Sequence, residues 1–450
     1  MTNAYIQVPP DGSGKKLQGF EHTVAGNVVI TPSYHLVGGN DPTKIQSVDS
    51  RGAASVRFAE GDPTFDKSQQ LRVANQQVIA AYEYTTKDYA ELMTDGLSTG
   101  GNIVYVPQIG AATMSVTSSS GSSAIRTSNR WHYYQPGVGM NCLFTMFMGD
   151  NGKTNYIRRW GIFDESDGLY FELDGTDLFV VTRSSTSGSV VNTRIARTNW
   201  NGDHLAGDPS QSNLVLDLTK INFFFIDYIW LGAGPATFGI VSSDGVRWPV
   251  HEFRTPGVSI GPYMRGGSLP TRHEIYNTGI TSGTSELHQV CTAIYASAVT
   301  NYTFWRFADM ESATPVTVTT NTPLLSVRVK AGNRTGVYPE HVSVLVNGGT
   351  IKVSLHRDGV LVGDTWSLPG ESALEGDITA NSISGGYTMH SFYAGPDATN
   401  LDVAHIFETN DEGIHRLADN SGSYILSIVA TKISGNVVTA FASMNYRELS

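Results

Sequence analysis

The chain has 450 residues, 40% of them apolar and only 16% charged, so it can bury a sizeable core and is not a disordered or fibrous polypeptide. Its net charge of −11, with no block of Lys or Arg, argues against nucleic acid and anionic membranes as partners. Two cysteines, Cys142 and Cys291, provide neither a disulfide framework nor a metal quartet. The first residues lack the order of a signal peptide, and no apolar run approaches the ~20 residues of a membrane span, so we expect a protein kept in a reducing interior.

Short runs of Val, Ile, Phe and Tyr are repeatedly interrupted by Gly, Asn and Asp, and the chain contains 47 glycines. This pattern of short apolar runs separated by turn-forming residues is typical of antiparallel β-proteins. The sequence therefore predicts an all-β, mainly antiparallel chain, with two β-sandwich or jelly-roll-like modules behind an extended N-terminal arm.

Residues 1–65 are polar and punctuated by Gly and Pro, with only scattered apolar side chains. Such a segment buries too little apolar surface to fold alone, so we interpret it as an arm that docks on a partner surface. Ile30, Val56 and Phe58 are its expected anchors.

Residues 66–130 are predicted to connect the arm to the first module. Apolar residues recur there at helical spacing after a cap at Asp66 or Ser68, and they are Leu71, Ala74, Val78, Ala81 and Tyr82. A strand over residues 71–74 is the competing interpretation. The serine-rich stretch 116–130 is predicted to be a linker or an exposed hairpin.

Residues 131–285 contain successive apolar runs at short spacing and are predicted to form the first sandwich. The clearest element is a hairpin in which residues 169–173 pair with residues 178–182 across Asp174-Gly175. Residues 286–323 are predicted to be a linker with a short helix over 286–298. Residues 324–450 are predicted to form the second sandwich, with strands that alternate between core and solvent.

Glu172 and Asp174 lie in a string that partly matches the Glu-x-Asp-x-x-Glu strand of jelly-roll glucan hydrolases. Alternate residues of a strand share a face, so these two carboxylates would point the same way. The last acid of the motif is Asp177 rather than Glu, and Asp174-Gly175 is better explained as a turn. The hairpin interpretation is therefore favoured over catalysis, and no catalytic residue is assigned.

Other patterns that resemble sites are incomplete. His273-Glu274 and His251-Glu252 lack the second histidine of a zinc motif, and we expect their side chains to face solvent or a neighbouring subunit. The acidic turns at 164–168 and 410–413 lack the spacing of a calcium loop. The sequence therefore predicts no metal site and no cofactor.

Aromatic residues offer a different kind of site. Trp131, Tyr133, Tyr134 and Trp200 are the residue types of a sugar-stacking platform, but sandwich cores and subunit interfaces use the same types. Packing in a core or interface is the favoured interpretation, with glycan contact as the alternative.

Several motifs, taken in order, resemble a family of large tailed-bacteriophage virion structural proteins. They are SVRFAEGDPTFD (55–66), TSNRWHYYQPG (127–137), RRWGIFDESDGLYFELDGTDLFVVTRSSTSG (158–188), TNWNGDHLAGDP (198–209), LVLDLTKINFFFIDYIWLGAGPATFGIV (214–241), LPTRHEIYNTG (269–279), LLSVRVKAGNRTGVYP (324–339) and SMNYREL (443–449). The resemblance covers most of the chain from about residue 50 onward. The chain departs from the family after Asp66, where Lys67-Ser68-Gln69-Gln70 replaces a run that contains Phe-Gly.

This resemblance implies a non-enzymatic subunit of a tailed-phage particle, assembled in the bacterial cytoplasm and located in the virion as a head decoration, collar fibre or tail fibre. Its expected partners are other virion proteins and further copies of itself, with a trimer favoured. The alternative is a host-receptor or glycan-binding adhesion module. A virion-borne glycan hydrolase that uses Glu172 and Asp174 is the third hypothesis.

Overall fold

The computed structural model describes residues 76–258, 260–281, 283–297, 304–312, 314–367, 372–408, 413–417 and 422–449, together with the backbone of three N-terminal strands. Side chains are not described at 304–308 and 449. The chain divides into two units, residues 1–62 and 63–450. No helix in these ranges is both long and apolar enough to cross a bilayer.

The N-terminal unit contains a three-stranded antiparallel sheet in the order β1-β2-β3. Its strands are β1 (Asn3–Gln7), β2 (Lys16–Val24) and β3 (Asn27–Pro32). Part of the segment predicted as an extended arm therefore pairs with itself, because neighbouring strands joined by short turns satisfy each other's backbone groups locally.

The first sandwich is built from two large antiparallel sheets. Its seven-stranded sheet has the order β13-β12-β11-β10-β17-β8-β5. The bounds are β5 (Met93–Ser98), β8 (Ser123–Ser128), β10 (Tyr156–Phe163), β11 (Gly168–Asp174), β12 (Asp177–Ser184), β13 (Val191–Ala196) and β17 (Thr271–Asn277).

The second sheet of this sandwich has the order β16-β15-β14-β9-β18-β7-β6, and β4 also pairs with β18. The bounds are β4 (Gln77–Glu83), β6 (Asn102–Val106), β7 (Ala111–Val116), β9 (Met140–Met148), β14 (Asn222–Tyr228), β15 (Ala236–Val241), β16 (Arg247–Phe253) and β18 (Ser285–Ala296). Two 3₁₀ turns, η1 (Ala90–Leu92) and η2 (Arg197–Asn199), lie in its loops.

Aromatic rings pack in the space between these two sheets. Trp160 and Phe171 from the seven-stranded sheet meet Phe224 and Phe238 from the other, with ring centroids 5.0–5.5 Å apart. All four side chains are fully buried. Rings of this size fill the gap of about 10 Å between packed sheets without leaving voids.

The second sandwich pairs sheets of orders β19-β30-β22-β28, with β20 on β30, and β25-β21-β29-β23-β27. A separate pair, β24 with β26, lies beside them. The bounds are β19 (Phe304–Glu311), β20 (Val316–Thr317), β21 (Thr322–Val329), β22 (Val337–Asn347), β23 (Thr350–Arg357), β24 (Val360–Val362), β25 (Leu374–Asp377), β26 (Ser382–Ser384), β27 (Tyr387–Ala394), β28 (Thr399–Asp402), α1 (Ala404–Glu408), β29 (Ile425–Ser434) and β30 (Thr439–Leu449).

Aliphatic side chains dominate the core of the second sandwich. Val342, Val344 and Val346 of β22 face Ile351 and Val353 of β23 in one buried cluster. Their alternation along each strand is the period-2 pattern that packs one face of a sheet into a core.

The predicted fold class is confirmed, since nearly all described elements are antiparallel strands in two sandwiches. The predicted hairpin is also present: β11 pairs with β12 in the expected register, and Asp174 is opposite Asp177. Gly175 has φ +62°, a conformation that L side chains rarely adopt and that a two-residue hairpin loop uses.

Both predicted helices are wrong where the structure describes them. Residues 77–83 form β4, whose Ala80 and Tyr82 are buried in alternation, and residues 286–296 lie in β18, an interior strand. Long pairing with sheet neighbours outweighs local helical spacing in these segments. The competing strand at 71–74 lies outside the described residues.

Two predicted linkers are also corrected. Within 116–130, β8 is an interior strand between β17 and β5, so this stretch is neither a linker nor an exposed hairpin. Within 286–323, β18 belongs to the first sandwich, whereas β19 and β20 belong to the second. The first sandwich therefore begins before residue 131, because serine and threonine are accepted in strands wherever the backbone is paired.

Candidate functional site

Glu172 lies on β11, two residues before that strand ends at Asp174, and its side chain is on the outer face of the seven-stranded sheet, away from the core. Its carboxylate is buried and contacts two arginines: Arg159 Nε is 2.6 Å from Oε2, and Arg194 Nε is 2.6 Å from Oε1. Asp174, at the hairpin turn, is 2.7 Å from Arg194 Nη2. The structure thus brings both acids of the sequence motif to one face, where both are held in ion pairs.

These pairs belong to a row of alternating charge that crosses four strands. Arg159 also contacts Glu274 on β17 at 3.1 Å, and Arg272 contacts Glu274 and Glu165 at 2.6 Å each. Although burial alone would lower the pKa of Arg159, the carboxylates of Glu274 and Glu172 outweigh it and raise that pKa. The row is therefore a network of acidic and basic side chains in direct contact.

Aromatic rings lie beneath the arginines of this row. The guanidinium carbon of Arg194 is 4.0 Å from the Phe179 ring centroid, and that of Arg159 is 5.0 Å from the Tyr276 centroid. Such cation–π stacking fixes the guanidinium planes and shields the carboxylates from water. Chemically, this arrangement ties strands together, and a nucleophile or general acid at Glu172 would first have to leave two arginines.

The four aromatic residues considered for glycan contact are packed inside the protein. Trp131 and Trp200 are buried, with their indole nitrogens 3.4 Å from Asp164 Oδ2 and 3.1 Å from the Ile195 carbonyl. Tyr134 is buried against Tyr228 and Trp230, and Tyr133 packs on the core of the second sandwich. They do not form an exposed platform, because each ring is needed to fill a core or an interface.

The expected docking residues Ile30, Val56 and Phe58 lie outside the residues whose side chains are described. The acidic turn at 410–413 is likewise largely outside them. Among the described residues, no group of three or more His, Cys, Asp or Glu side chains is arranged to hold a metal ion. Cys142 and Cys291 are both free thiols.

The acidic turn at 164–168 has a structural role. Asp164 is fully buried, and its Oδ1 accepts hydrogen bonds from the amides of Ser166 and Asp167 at 2.7 and 2.8 Å. Its Oδ2 lies 3.0 Å from Arg334 Nη2, a residue of the second sandwich. The carboxylate therefore caps its own turn and joins the two sandwiches.

His273, Glu274 and His251 are buried, which corrects the expectation that they face solvent or a partner. His273 points into the core beside Phe144, whereas its neighbour Glu274 belongs to the ion-pair row. Burial, followed by the charge of Arg126, lowers the pKa of His273 to about 3. A histidine of this kind is a neutral core residue.

A pocket of about 470 Å³ opens where the two sandwiches meet, and we call it the junction pocket. The described lining comprises six residues of the first sandwich, which lie in β4, between β4 and β5 and after β8, and five of the second, which lie at the ends of β23 and β27 and before β29. The lining residues are Tyr82, Lys87, Glu91, Leu92, Asn129, Arg130, Arg357, Asp358, Tyr387, His415 and Tyr424.

Tyr424, which lines the junction pocket, contacts residues of both sandwiches. The guanidinium carbon of Arg357 lies 3.8 Å from its ring centroid, and the His415 ring meets it edge-on at 4.7 Å. A side-chain hydrogen bond joins the Tyr424 hydroxyl to Asn129 of the first sandwich, and burial is the main cause that raises the pKa of Tyr424 to about 12. Tyr424 is therefore held by Arg357 and His415 of the second sandwich and by Asn129 of the first.

Charges in the junction pocket are partly compensated. Asp358 Oδ2 is 3.6 Å from Arg357 Nε, and Lys87 Nζ is 3.2 Å from Glu91 Oε1. Burial raises the pKa of Asp358, whereas burial and the nearby Arg357 lower the pKa of His415 well below its usual range. The pocket thus contains a neutral imidazole, three cations and two carboxylates.

None of the junction-pocket residues was a candidate in the sequence. They come from separate segments between residues 82 and 424, and no spacing relates them. A local signal exists at Asp358-Gly359, a dipeptide typical of turns, and Asp358 has φ +57° there. A site assembled from separate segments of two modules cannot be recognised from the spacing of residues in a motif.

The sequence matches no protein-family model and no curated protein. In structure, part of the chain is similar to a legume lectin-like domain from Entamoeba histolytica, at 8% identity and a TM-score of 0.31 over 50% of this chain and 100% of that one. It is also similar to a lectin from Bauhinia forficata in complex with GalNAc (10% identity, TM-score 0.30, covering 50% and 100%) and to a protein of unknown function from Shewanella oneidensis MR-1 (8%, 0.32, covering 55% and 99%). TM-scores of this size do not establish a common fold or a function.

Proposed function

We propose that this chain is a non-catalytic structural subunit of a tailed bacteriophage particle, located in a surface appendage such as a head decoration, collar fibre or tail fibre. The observation that carries the proposal is that the candidate catalytic residues are engaged in ion pairs between strands. Glu172 and Asp174, the two candidate catalytic acids, are tied to arginines that hold strands together. The order of sequence motifs supports the phage assignment.

Contacts between the two sandwiches support a mechanical role. Arg334 of the second sandwich contacts Asp164 at 3.0 Å and stacks over Trp131 at 5.2 Å, both in the first sandwich. Tyr133 of the first sandwich packs against the core of the second. A body joined in this way transmits force as one piece, which suits a projecting appendage.

Residues 1–65 are the proposed attachment segment, and other virion proteins are its proposed partners. A variant that lacks residues 1–60 should be soluble, keep the β-sheet circular dichroism of the full chain and fail to join particles. The matched control is the full-length chain with Tyr393→Ala, an exposed change in the second sandwich. A truncated form that still enters particles at the control's level would overturn this attachment mode.

Self-association is the second proposed partnership, with a homotrimer as the assembly unit. Sedimentation equilibrium of the full chain of 48.6 kDa should give a mass of three chains. A monomeric mass at virion-like concentrations would contradict the trimer and leave the attachment test unaffected.

Host-glycan adhesion is the second candidate function, and the junction pocket is the observation that favours it. The pocket combines aromatic rings with cations and hydrogen-bonding groups, which is the composition of a small-ligand site at a domain boundary. Binding of glycan fragments by the purified full chain tests this function independently of particle assembly.

A further inference from the structure

We propose that the boundary between the two sandwiches is an acid-sensitive contact, which loosens when His132 of the first sandwich and His415 of the second take up protons. Acid would then convert the body from one unit into two sandwiches that stay folded individually. This regulation goes beyond the structural and adhesion functions proposed above and depends on neither of them.

Both imidazole rings are buried where the sandwiches meet. His132 is 2% exposed, and its ring lies 6.1 Å from that of Tyr82. His415 is 3% exposed, lines the junction pocket and meets the Tyr424 ring edge-on. Burial first, and then the charges of Arg130 and His415, lower the pKa of His132. The two histidines are therefore close enough for their charges to interact across the boundary.

Local hydrogen bonds define the tautomer of His415. Its Nδ1 lies 2.8 Å from the Gly413 carbonyl oxygen, which can only accept, so Nδ1 carries the hydrogen. Nε2 then bears the lone pair that acid would protonate. This nitrogen is buried and has no hydrogen-bond partner among the described residues.

The tautomer of His132 follows from Ser128. The Ser128 hydroxyl donates to the Arg130 carbonyl at 2.9 Å, so its oxygen accepts from His132 Nε2 at 3.4 Å. Nδ1 is then the bare nitrogen, and it too is buried without a partner in the described part of the chain. Protonation of either ring therefore creates a buried N–H donor that lacks an acceptor, which is unfavourable until water reaches it.

Charged groups around the rings also oppose protonation. The charged and titratable groups placed there are Tyr82, Lys87, Glu91 and Arg130 from the first sandwich and Arg357, Asp358, Tyr387 and Tyr424 from the second. Asp358 contacts Arg357 and the Ile425 amide. Glu91 contacts Lys87. Because no described carboxylate contacts either imidazole, a new positive charge on the ring would lie near arginines without a compensating partner.

Separation of the sandwiches relieves this cost, since it exposes one ring on each side of the boundary to water. Burial and nearby cations hold both pKa values well below their usual range while the sandwiches are joined, and exposure returns them to about 6.5. The separated form therefore binds more protons than the joined form as the pH falls through about 6.5. The contact is complete above that pH and weakens below it.

Differential scanning calorimetry of the full chain at two pH values, about 7.5 and about 5, tests the proposal. We expect the two sandwiches to unfold in one transition at the higher pH and in two at the lower, because they then unfold independently. One transition at both pH values, or two at both, would overturn the proposal.

A double variant with a matched control locates the effect. His132→Gln with His415→Asn removes both titrations, while the new amides can still donate to the Ser128 hydroxyl and the Gly413 carbonyl. We expect this variant to keep one transition at the lower pH. The control is His273→Gln, a buried histidine beside Phe144 within the first core, which should keep both transitions there. Two transitions in the double variant, or one in the control, would contradict the assignment to the boundary.

Hydrogen exchange of the wild-type chain provides a test that needs no variant. After correction for the intrinsic pH dependence of exchange, lowering the pH from about 7.5 to about 5 should reduce amide protection at residues 129–132 and 413–417 about tenfold. The interior strands β9 and β14 should keep their protection. Unchanged protection at the boundary, or an equal loss in β9 and β14, would overturn the proposal.

Discussion

The two sandwiches have the same architecture but stabilise it differently. The first buries charge: Glu172, Glu274 and Arg272 lie in one ion-pair row over a core of stacked aromatic rings. The second relies on aliphatic strands, and its pair between Arg328 and Glu375 is partly open to solvent. Carboxylates with the spacing of a catalytic strand can therefore serve only as structural ties when arginines flank them.

Removing a buried carboxylate should reveal this difference most strongly. Glu172→Ala should lower the free energy of unfolding by about 3 kcal/mol, because it removes one of the two carboxylate partners of Arg159 and one of the two partners of Arg194 under a nearly closed surface. Glu375→Ala, which removes the corresponding pair in the second sandwich, should cost about 1 kcal/mol or less. Denaturant unfolding measures both, and equal losses would contradict the comparison.

Glycan cleavage provides a second measurement on the same variant. If the wild-type chain cleaves a glycan and Glu172→Ala abolishes cleavage with an unchanged unfolding midpoint, Glu172 is catalytic and the structural interpretation is wrong.

Acid should destabilise the described body through its buried histidines. Burial first, and then nearby cations, lower the pKa values of His132, His273 and His415. Because the unfolded chain binds protons near pH 6.5 and the folded chain does not, stability is complete above that pH and falls as the pH is lowered, down to about 3 for His273. Unfolding measured between pH 7 and 4.5, above most carboxylate titrations, should show this loss; constant stability there would contradict it.

The contact between the sandwiches should be separable from their individual stabilities. Arg334→Ala removes the ion pair to buried Asp164 and the stacking on Trp131, so we expect a loss of about 2 kcal/mol and two calorimetric transitions in place of one. Arg328→Ala is the matched control, since it also removes an ion pair and a stacked ring but lies within the second sandwich. Two transitions in the control, or one in Arg334→Ala, would contradict the coupling.

The smallest expected effect concerns the hairpin of the first sandwich. Gly175→Ala places a side chain at φ +62°, where open space surrounds it, so only backbone strain of about 1 kcal/mol is expected. Gly149→Ala, also in open space but without positive φ, should leave stability nearly unchanged. Thermal unfolding compares them, and equal midpoints would show that the turn conformation is not strained.

The sequence predicted those parts of the fold that depend on local chemistry. Alternating runs and a Gly-containing turn indicated β11 and β12, whereas Val78, Ala81 and Tyr82 have helical spacing although they lie in the strand β4. For β4 and β18, pairing with distant strands decided the outcome, and a single sequence does not contain that information.

The candidate sites likewise combine features that local sequence predicted with features that depend on contacts between distant segments. The acids Glu172 and Asp174 were found by their spacing, but their arginine partners come from β10 and β13 and became visible only in the folded sheet. The junction pocket depends on contacts between segments up to 342 residues apart in sequence, from Tyr82 to Tyr424, and no motif marks it.

Cryo-electron microscopy of the intact particle, with this chain traced into the density, tests the proposed structural role in a phage appendage. We expect both sandwiches to project from the particle as one body, with residues 1–65 against a neighbouring virion protein. Absence of the chain from purified particles, or attachment through the second sandwich with residues 1–65 outermost, would contradict it.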